Sequence, residues 1–166
     1  MKTGQNRENR SACRLRSIFG ALATALLVGA CSSGAIEATP QDSGDPASRK
    51  AVRAAVLEFS RLADQQRAGR LEAILHPRFR VWAQIKGKAG VLALSRGEYL
   101  AKIRAKEFGG DVRRVTIHSI QVRGDLALVV ASSRGARAVF ESSYHLVRGA
   151  QGWQLTNDMA EVTFLK

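Results

Sequence analysis

The sequence predicts an α+β domain in which N-terminal helices pack on a curved, mostly antiparallel sheet. Apolar residues first recur at helical spacing, and the second half of the chain then carries long segments of alternating apolar and polar residues. Turns that contain glycine separate those segments, as β-hairpins require. A run of helices followed by a run of strands is typical of the α+β class.

The first helix is predicted to begin near Ser48, because serine is a common helix cap. A short second helix is predicted over 71–75, after Gly69 and before His76-Pro77, since the residue before a proline disfavours the helical conformation. The apolar residues of the first helix form one stripe, which comprises Val52, Ala55, Val56, Phe59, Leu62 and Ala63.

A third helix is predicted after Ser95. Ser95 and Glu98 have the spacing of a capping box, in which the two side chains satisfy the first amides of a helix reciprocally. Gly109-Gly110 ends this helix. Its inward residues are expected to be Tyr99, Leu100 and Ile103.

Strands account for most of the remaining chain. One strand is predicted over 79–85, before a flexible turn at 86–90, and four longer ones follow at 112–122, 126–132, 138–147 and 153–164. In the first long strand the apolar phase shifts by one residue around His118-Ser119. A β-bulge there restores the phase and bends the sheet, and a bent sheet under helices tends to leave a pocket.

The N-terminal segment has the features of a secretory signal. Arg14 and Arg16 precede an apolar run over 17–30, which ends in small residues just before Cys31. This run is shorter than the roughly 20 residues that cross a bilayer as a helix. Its end resembles a bacterial lipobox, which predicts lipidation of Cys31 as the mature N-terminus. The alternatives are a plain secreted protein that is cleaved elsewhere and a cytoplasmic protein with an apolar start.

The predicted organisation is therefore a signal peptide over 1–30, a lipidated cysteine with a polar, proline-containing tether over 31–47, and one domain over 48–166. The mature second residue, Ser32, is not aspartate. By resemblance to sorted lipoproteins, this favours the outer membrane, with the domain facing the periplasm. The domain contains no cysteine, which excludes disulfides and cysteine-based chemistry.

The charge is strongly basic. The whole chain has a formal net charge of +12; residues 1–30 carry five basic side chains and one acidic, so the rest carries +8. Such a domain is attracted to anionic lipid or envelope polymers. For an exported protein these partners are favoured over nucleic acid, and a solvated basic surface without a partner is the remaining interpretation.

Several short motifs occur in a characteristic order between Ala51 and Phe164. They are His76-Pro77-Arg78-Phe79, Ser95 to Leu100, Val122 to Ala127, Phe140 with Tyr144 to Val147, and Gly152 to Leu155. The order resembles the nuclear transport factor 2-like superfamily, and in particular its lumazine-binding and SnoaL-like branch. The resemblance implies a cone-shaped α+β fold, a pocket between helices and sheet, and frequently a homodimer through the outer sheet face. It does not imply one activity.

Catalysis is disfavoured by a missing acid. Ketosteroid-isomerase-like members place a carboxylate base on the first strand, where this chain has Trp82-Ala83, and the segment 78–93 contains neither Asp nor Glu. His118 and His145 with Asp158 are candidates for an acid/base pair, and the alternative function is a small hydrolase, dehydratase or isomerase. Their spacing carries no metal signature, and the chain lacks a phosphate-binding glycine loop.

The expected function is therefore binding of a small apolar or aromatic molecule by a membrane-tethered, non-catalytic domain without a cofactor. Aromatic walls with a few polar groups are typical of such pockets. The candidate pocket residues are Trp82, Tyr99, Tyr144, Asn157 and Asp158. A third possibility is a protein-interaction module that uses the sheet face.

Overall fold

A computed structural model of the chain describes residues 42–166. The predicted signal peptide, the predicted lipidation site at Cys31 and most of the predicted tether lie outside these described residues. Within the described range no helix is both long and apolar enough to span a membrane.

The first helix, α1, spans Pro46–Asp64. Its cap is Asp45 and not the predicted Ser48: the carboxylate of Asp45 accepts hydrogen bonds from the amides of Ala47 at 3.0 Å and Ser48 at 2.9 Å. The reason is that Pro46 occupies the first helical position, where its fixed φ favours helix and its missing N–H costs nothing. Ser48 is then the third residue of the helix, within its first turn.

Helix α2 spans Ala68–Ile74 and helix α3 spans Arg96–Arg104. The capping box of Ser95 and Glu98 is present, which confirms that prediction. The predicted inward residues of α3, Tyr99, Leu100 and Ile103, are all buried.

Six strands form one sheet in the order β2-β1-β6-β5-β4-β3. Neighbouring strands are antiparallel except for β1 and β6, which are parallel. The strands are β1 Leu75–Ile85, β2 Val91–Ser95, β3 Arg114–Arg123, β4 Leu126–Arg134, β5 Ala138–Gly149 and β6 Gly152–Phe164. The predicted α+β class, with N-terminal helices on a mostly antiparallel sheet, is confirmed.

Two differences concern the first strands. Strand β1 begins at Leu75, four residues before the predicted start, and contains Pro77. Its register with β6 shifts between Leu75 and Arg80. The proline, which has no N–H to donate, therefore lies where the hydrogen bonds between β1 and β6 are already interrupted. Strand β2 was not predicted. Its five residues are too short for periodicity to separate strand from helix, and its pairing with β1 is what defines it.

The predicted bulge is present in β3. The register between β3 and β4 shifts between Ile117 and Ser119, so both halves of β3 turn apolar residues inward. Residues at the end of the predicted tether also join this edge of the sheet. The amide of Ser43 donates to the carbonyl of Ile120 at 3.0 Å, and Ser43 forms a parallel bridge with Gln121.

The three helices cover one face of the sheet, which we call the inner face. The hydrophobic core lies between the helices and this face. Its fully buried side chains include Phe79, Leu71, Leu100, Leu146 and Leu155. The opposite, outer face carries exposed residues, among them Arg80, Trp82, Met159 and Glu161.

Candidate functional site

Asp158 lies on the inner face of β6, in register with Val81 of β1 and Tyr144 of β5. Although the residue keeps some accessible surface, its carboxyl group lies deep beneath the helices, and Oδ1 is buried without a hydrogen-bond partner. Burial raises the pKa of Asp158 to about 7, and the positive charge of Arg113 and the hydroxyl of Ser142 oppose that rise. Near neutral pH this carboxyl group is therefore able to accept or to donate a hydrogen bond.

Four aromatic rings fill the space beside Asp158. The ring of Phe59 lies 6.0 Å from that of Phe79, 6.1 Å from that of Tyr99 and 5.8 Å from that of Tyr144, centroid to centroid. Burial raises the pKa of both tyrosines, and the nearby carboxylate of Asp158 adds to the effect. Both phenols remain protonated and polar in an otherwise apolar interior.

Arg113 precedes β3 and is anchored against α1. Its Nε donates to Asp64 Oδ1 at 2.6 Å, its backbone amide donates to Asp64 Oδ2 at 3.0 Å, and Nη2 reaches the carbonyl of Ser60 at 3.5 Å. Its guanidinium also lies over the ring of Phe140, 5.0 Å from the centroid. Because the side chains of Arg113 and Asp64 are only 14% and 7% exposed, this is a buried, well-positioned ion pair.

A cavity of about 210 Å³ opens at this ion pair. It lies between α1 and the segment that leads into β3, and its lining comprises Leu57, Ser60, Arg61, Asp64, Gln65, Val112, Arg113 and Val115. The hydroxyl of Ser60 is buried here beside that of Tyr144, whose pKa it lowers against the effect of burial, but it forms no well-aligned hydrogen bond. The volume is smaller than the roughly 300–1,000 Å³ of a drug-sized pocket, so that a small ligand is the one that fits.

The structure brings together three of the predicted pocket residues. Tyr99, Tyr144 and Asp158 lie beneath the helices, where the tyrosine rings pack in the core. Trp82 is paired with Ala93 and Met159 on the outer face and is 45% exposed. Asn157 alternates with Asp158 and so also points to the outer face.

The two candidate histidines are not brought to Asp158. His145 alternates with the buried Tyr144 and is exposed on the outer face. His118 is exposed at the bulge, where its Nε2 lies 2.9 Å from the hydroxyl of Ser132. The sheet thus separates both imidazoles from the carboxyl group. In residues 42–166 no group of three His, Cys, Asp or Glu side chains is arranged to hold a metal ion.

Sequence reasoning missed Ser60, Asp64 and Arg113. A signal for the first two exists, because Val56, Ser60 and Asp64 recur at intervals of four and continue the apolar stripe of α1 with polar residues. For Arg113 the sequence offers no signal, since nothing local distinguishes it from Arg114.

The fold defines the class of the protein. The structure is similar to those of nuclear transport factor 2-like proteins of unknown function from Silicibacter pomeroyi DSS-3 (TM-score 0.60, 18% identity, 68% of this chain and 93% of that chain) and Shewanella baltica OS155 (0.62, 8%, 73% and 98%). It is also similar to a structure described as a putative dehydratase of the same family from Streptomyces avermitilis (0.55, 20%, 69% and 95%). The domain therefore has the nuclear transport factor 2-like fold.

Residues 47–159 match the family described as "Putative lumazine-binding". Because that match covers more than half of the chain, the protein belongs to this family. No curated protein sequence matches the chain.

Proposed function

We propose that this domain binds a small, planar heteroaromatic molecule of the lumazine type beneath its helices and does not convert it. The observation that carries the proposal is the cavity of about 210 Å³ between α1 and the segment before β3, where the buried hydroxyl of Ser60 has no well-aligned partner and Arg113 donates to the carbonyl of the same serine. Buried polar groups in native proteins nearly always have partners. A bound ligand supplies them here.

The chemistry of such a ligand complements these groups. Lumazine is a bicyclic heteroaromatic ring in which N–H donors alternate with carbonyl acceptors. An N–H group suits the carboxylate of Asp64, whereas carbonyl oxygens suit the Ser60 hydroxyl and the guanidinium of Arg113, and all three groups line the cavity. The cavity of about 210 Å³ is below the volume of a drug-sized pocket and in the size range of one small ring system.

Absence of turnover is proposed from the geometry of the candidate acid/base groups. General acid–base catalysis needs the two groups within hydrogen-bond reach of the reacting atoms. His118 and His145 are on the outer face and Asp158 is on the inner face, so the pair expected for a hydrolase, dehydratase or isomerase does not assemble.

The test is a titration of the full chain with lumazine, in which the fluorescence of the ligand reports binding. Leu57 lines the cavity and is 41% exposed, so that Leu57→Trp narrows the cavity without disturbing the core; we expect at least a tenfold loss of affinity. Leu126→Trp is the matched control, because Leu126 is an exposed leucine on the outer face, 61% accessible, and should change affinity less than twofold. Equal effects of the two variants would contradict the proposed site, and a lumazine mass altered after incubation would contradict the non-catalytic role.

The domain is further proposed to be tethered to the outer membrane through lipid on Cys31, facing the periplasm, and to dimerise through the outer face of the sheet. The lipobox-like end of the N-terminal segment supports the first proposal. Exposed apolar residues on the outer face support the second: Trp82 and Met159 are 45% and 50% exposed and adjacent in the sheet.

A further inference from the structure

A second, larger cavity lies where α1 turns into α2. Its volume is about 600 Å³, and it is open to solvent. The six residues that line it are Arg61, Gln65, Arg67, Ala68, Gly69 and Arg70. Half of them are arginines and none is acidic, so the lining is strongly cationic. We call it the arginine groove.

Arg61 is fixed in place on one wall of the groove. Its Nε and Nη2 donate to the two carboxylate oxygens of Glu58 at 2.8 and 2.6 Å, and Nη1 donates to Gln65 Oε1 at 2.8 Å. The hydrogen bond from Arg61 holds the pKa of Glu58 below its usual value. Glu58 therefore neutralises this guanidinium while leaving it in a defined orientation.

The other two arginines keep their charge available. Arg70 is 71% exposed, and its Nη2 lies 4.0 Å from Glu58, which is already held by Arg61. Within residues 42–166, Arg67 has no acidic partner closer than the 4.0 Å of a salt bridge. Three arginines and one glutamate leave a local charge of +2, which matches a phosphate monoester at neutral pH, whose charge is about −1.5 to −2.

The backbone that carries Arg67 is rigidly held. Gln66 has a positive φ of 58°, its amide donates to the carbonyl of Ala63 at 3.0 Å, and its side-chain Nε2 donates to the carbonyl of Phe108 at 3.0 Å. The amide of Arg67 donates to the carbonyl of Leu62 at 2.9 Å. The point from which the Arg67 side chain extends is therefore fixed by the backbone.

Gly69 keeps the floor of the groove open. A Cβ atom at this position would meet no atom within 4 Å, and its φ is not in the positive range. Neither packing nor backbone conformation therefore requires glycine here, although glycine weakens a helix. Its absence of a side chain gives a ligand room between the arginines.

From these observations we propose that the arginine groove is a binding site for a small molecule that carries a phosphate group. Guanidinium groups recognise phosphate with paired hydrogen bonds, and the groove presents two available groups around a concave, ligand-sized space. Nucleic acid is not favoured, since no aromatic ring for base stacking lines the groove. The site is distinct from the small cavity, although Arg61 and Gln65 line both.

The probe for this site is inorganic phosphate, titrated at constant ionic strength into the isotopically labelled full chain and monitored by the amide resonances of Ala68 and Gly69, which line only the arginine groove. We expect saturable shifts in the wild type. The double variant Arg67→Gln/Arg70→Gln should weaken binding at least tenfold. Because the probe has no ring, its binding does not depend on the small cavity, so the two proposals fail independently.

The matched control is Arg123→Gln/Arg134→Gln, which removes the same charge from two exposed positions on β3 and β4. It should change phosphate affinity less than twofold. An equal loss in the two double variants would identify diffuse attraction to a basic protein and overturn the site. Shifts that stay linear in phosphate, or binding to anionic lipid vesicles without saturable phosphate binding, would overturn it as well.

Discussion

The carboxyl group of Asp158 is held among tyrosine rings with only a partial counter-charge. Burial raises its pKa to about 7, so the folded protein binds a proton at this group more tightly than the unfolded chain, whose aspartates titrate near 4. The unfolded state thus releases its proton first as the pH rises. The contribution of Asp158 to stability falls between about pH 4 and pH 7 and is level above that.

We predict that Asp158→Asn removes this pH dependence. The neutral amide avoids the penalty of a buried charge, so the variant should gain stability relative to the wild type as pH rises from 4 to 7, by an amount that reaches roughly 2–4 kcal/mol. Thermal unfolding of both proteins across this range measures the difference. Asp125→Asn serves as the control, because the side chain of Asp125 is 75% exposed; a gain that is independent of pH would contradict the assignment.

Among the elements, the connection from α3 to β3 sets where Arg113 meets α1. Gly109 and Gly110 both have positive φ, at 74° and 72°. At Gly109 a Cβ would collide with the carbonyl oxygen of Ala63 in α1, and the amide of Gly110 donates to the carbonyl of Asp64 at 2.9 Å. Close backbone approach at Gly109 therefore brings the segment next to the Asp64 carboxylate, where Arg113 binds.

Substitution by alanine should change the free energy of unfolding in opposite directions at Gly109 and at Gly69. Gly109→Ala combines an unfavourable φ with a backbone collision, and we expect it to lower the free energy of unfolding by more than about 2 kcal/mol. Gly69→Ala, which meets open space in α2, should raise it by roughly 0.5–1 kcal/mol. Urea denaturation distinguishes the two, and a destabilised Gly69→Ala would mean that the open space around Gly69 is filled in solution.

For the molecule as a whole, the outer face of the sheet differs from the rest of the surface. Trp82, Val91, Leu126 and Met159 are large apolar residues between 45% and 61% exposed on this face. Trp82 and Met159 are neighbours across β1 and β6. A solvent-exposed set of this kind is typical of an interface.

The proposed dimer predicts that charge on this face disrupts assembly. Trp82→Glu/Met159→Glu should convert a dimer to a monomer of unchanged fold, because burying two carboxylates in each half of an interface is strongly unfavourable. Light scattering after size-exclusion chromatography measures the mass. Val112→Glu is the control, since Val112 is 87% exposed and lies outside the sheet. A wild type that is already monomeric at micromolar concentration would contradict the proposal.

The proposed lipid anchor at Cys31 is testable on the whole protein. Cys31→Ser removes the only sulfur that the lipobox-like sequence presents for lipidation, so we expect the protein to leave the membrane fraction and its mass to lack the acyl chains. Cys13→Ser, in the segment proposed to be removed, should change neither property. Retention of Cys31→Ser in the membrane fraction would contradict lipid anchoring at this residue.

Local sequence patterns predicted most of the secondary structure. The alternation in the long strands, the phase shift at His118-Ser119 and the capping box at Ser95 each depend on neighbours within a few residues, and each is present. The cap of α1 and the start of β1 differ from the predictions, and each lies beside a proline. Pro46 occupies the first position of α1, which makes Asp45 the cap. Pro77 lies where the register of β1 with β6 shifts, so the strand extends across it.

The site divides in the same way between local and distant contributions. Period-two alternation by itself determined that Tyr144 and His145 point to opposite faces, and polarity marked Asp158 as unusual. Only the tertiary structure decided which face is inner, and hence that Asp158 meets the tyrosines while both histidines lie outside. It also decided the pairing of Asp64 with Arg113, 49 residues apart. The physical reason is that a strand's sequence sets the alternation of its side chains, whereas the burial of one face and the partner of a charge are set by elements that arrive from elsewhere in the chain.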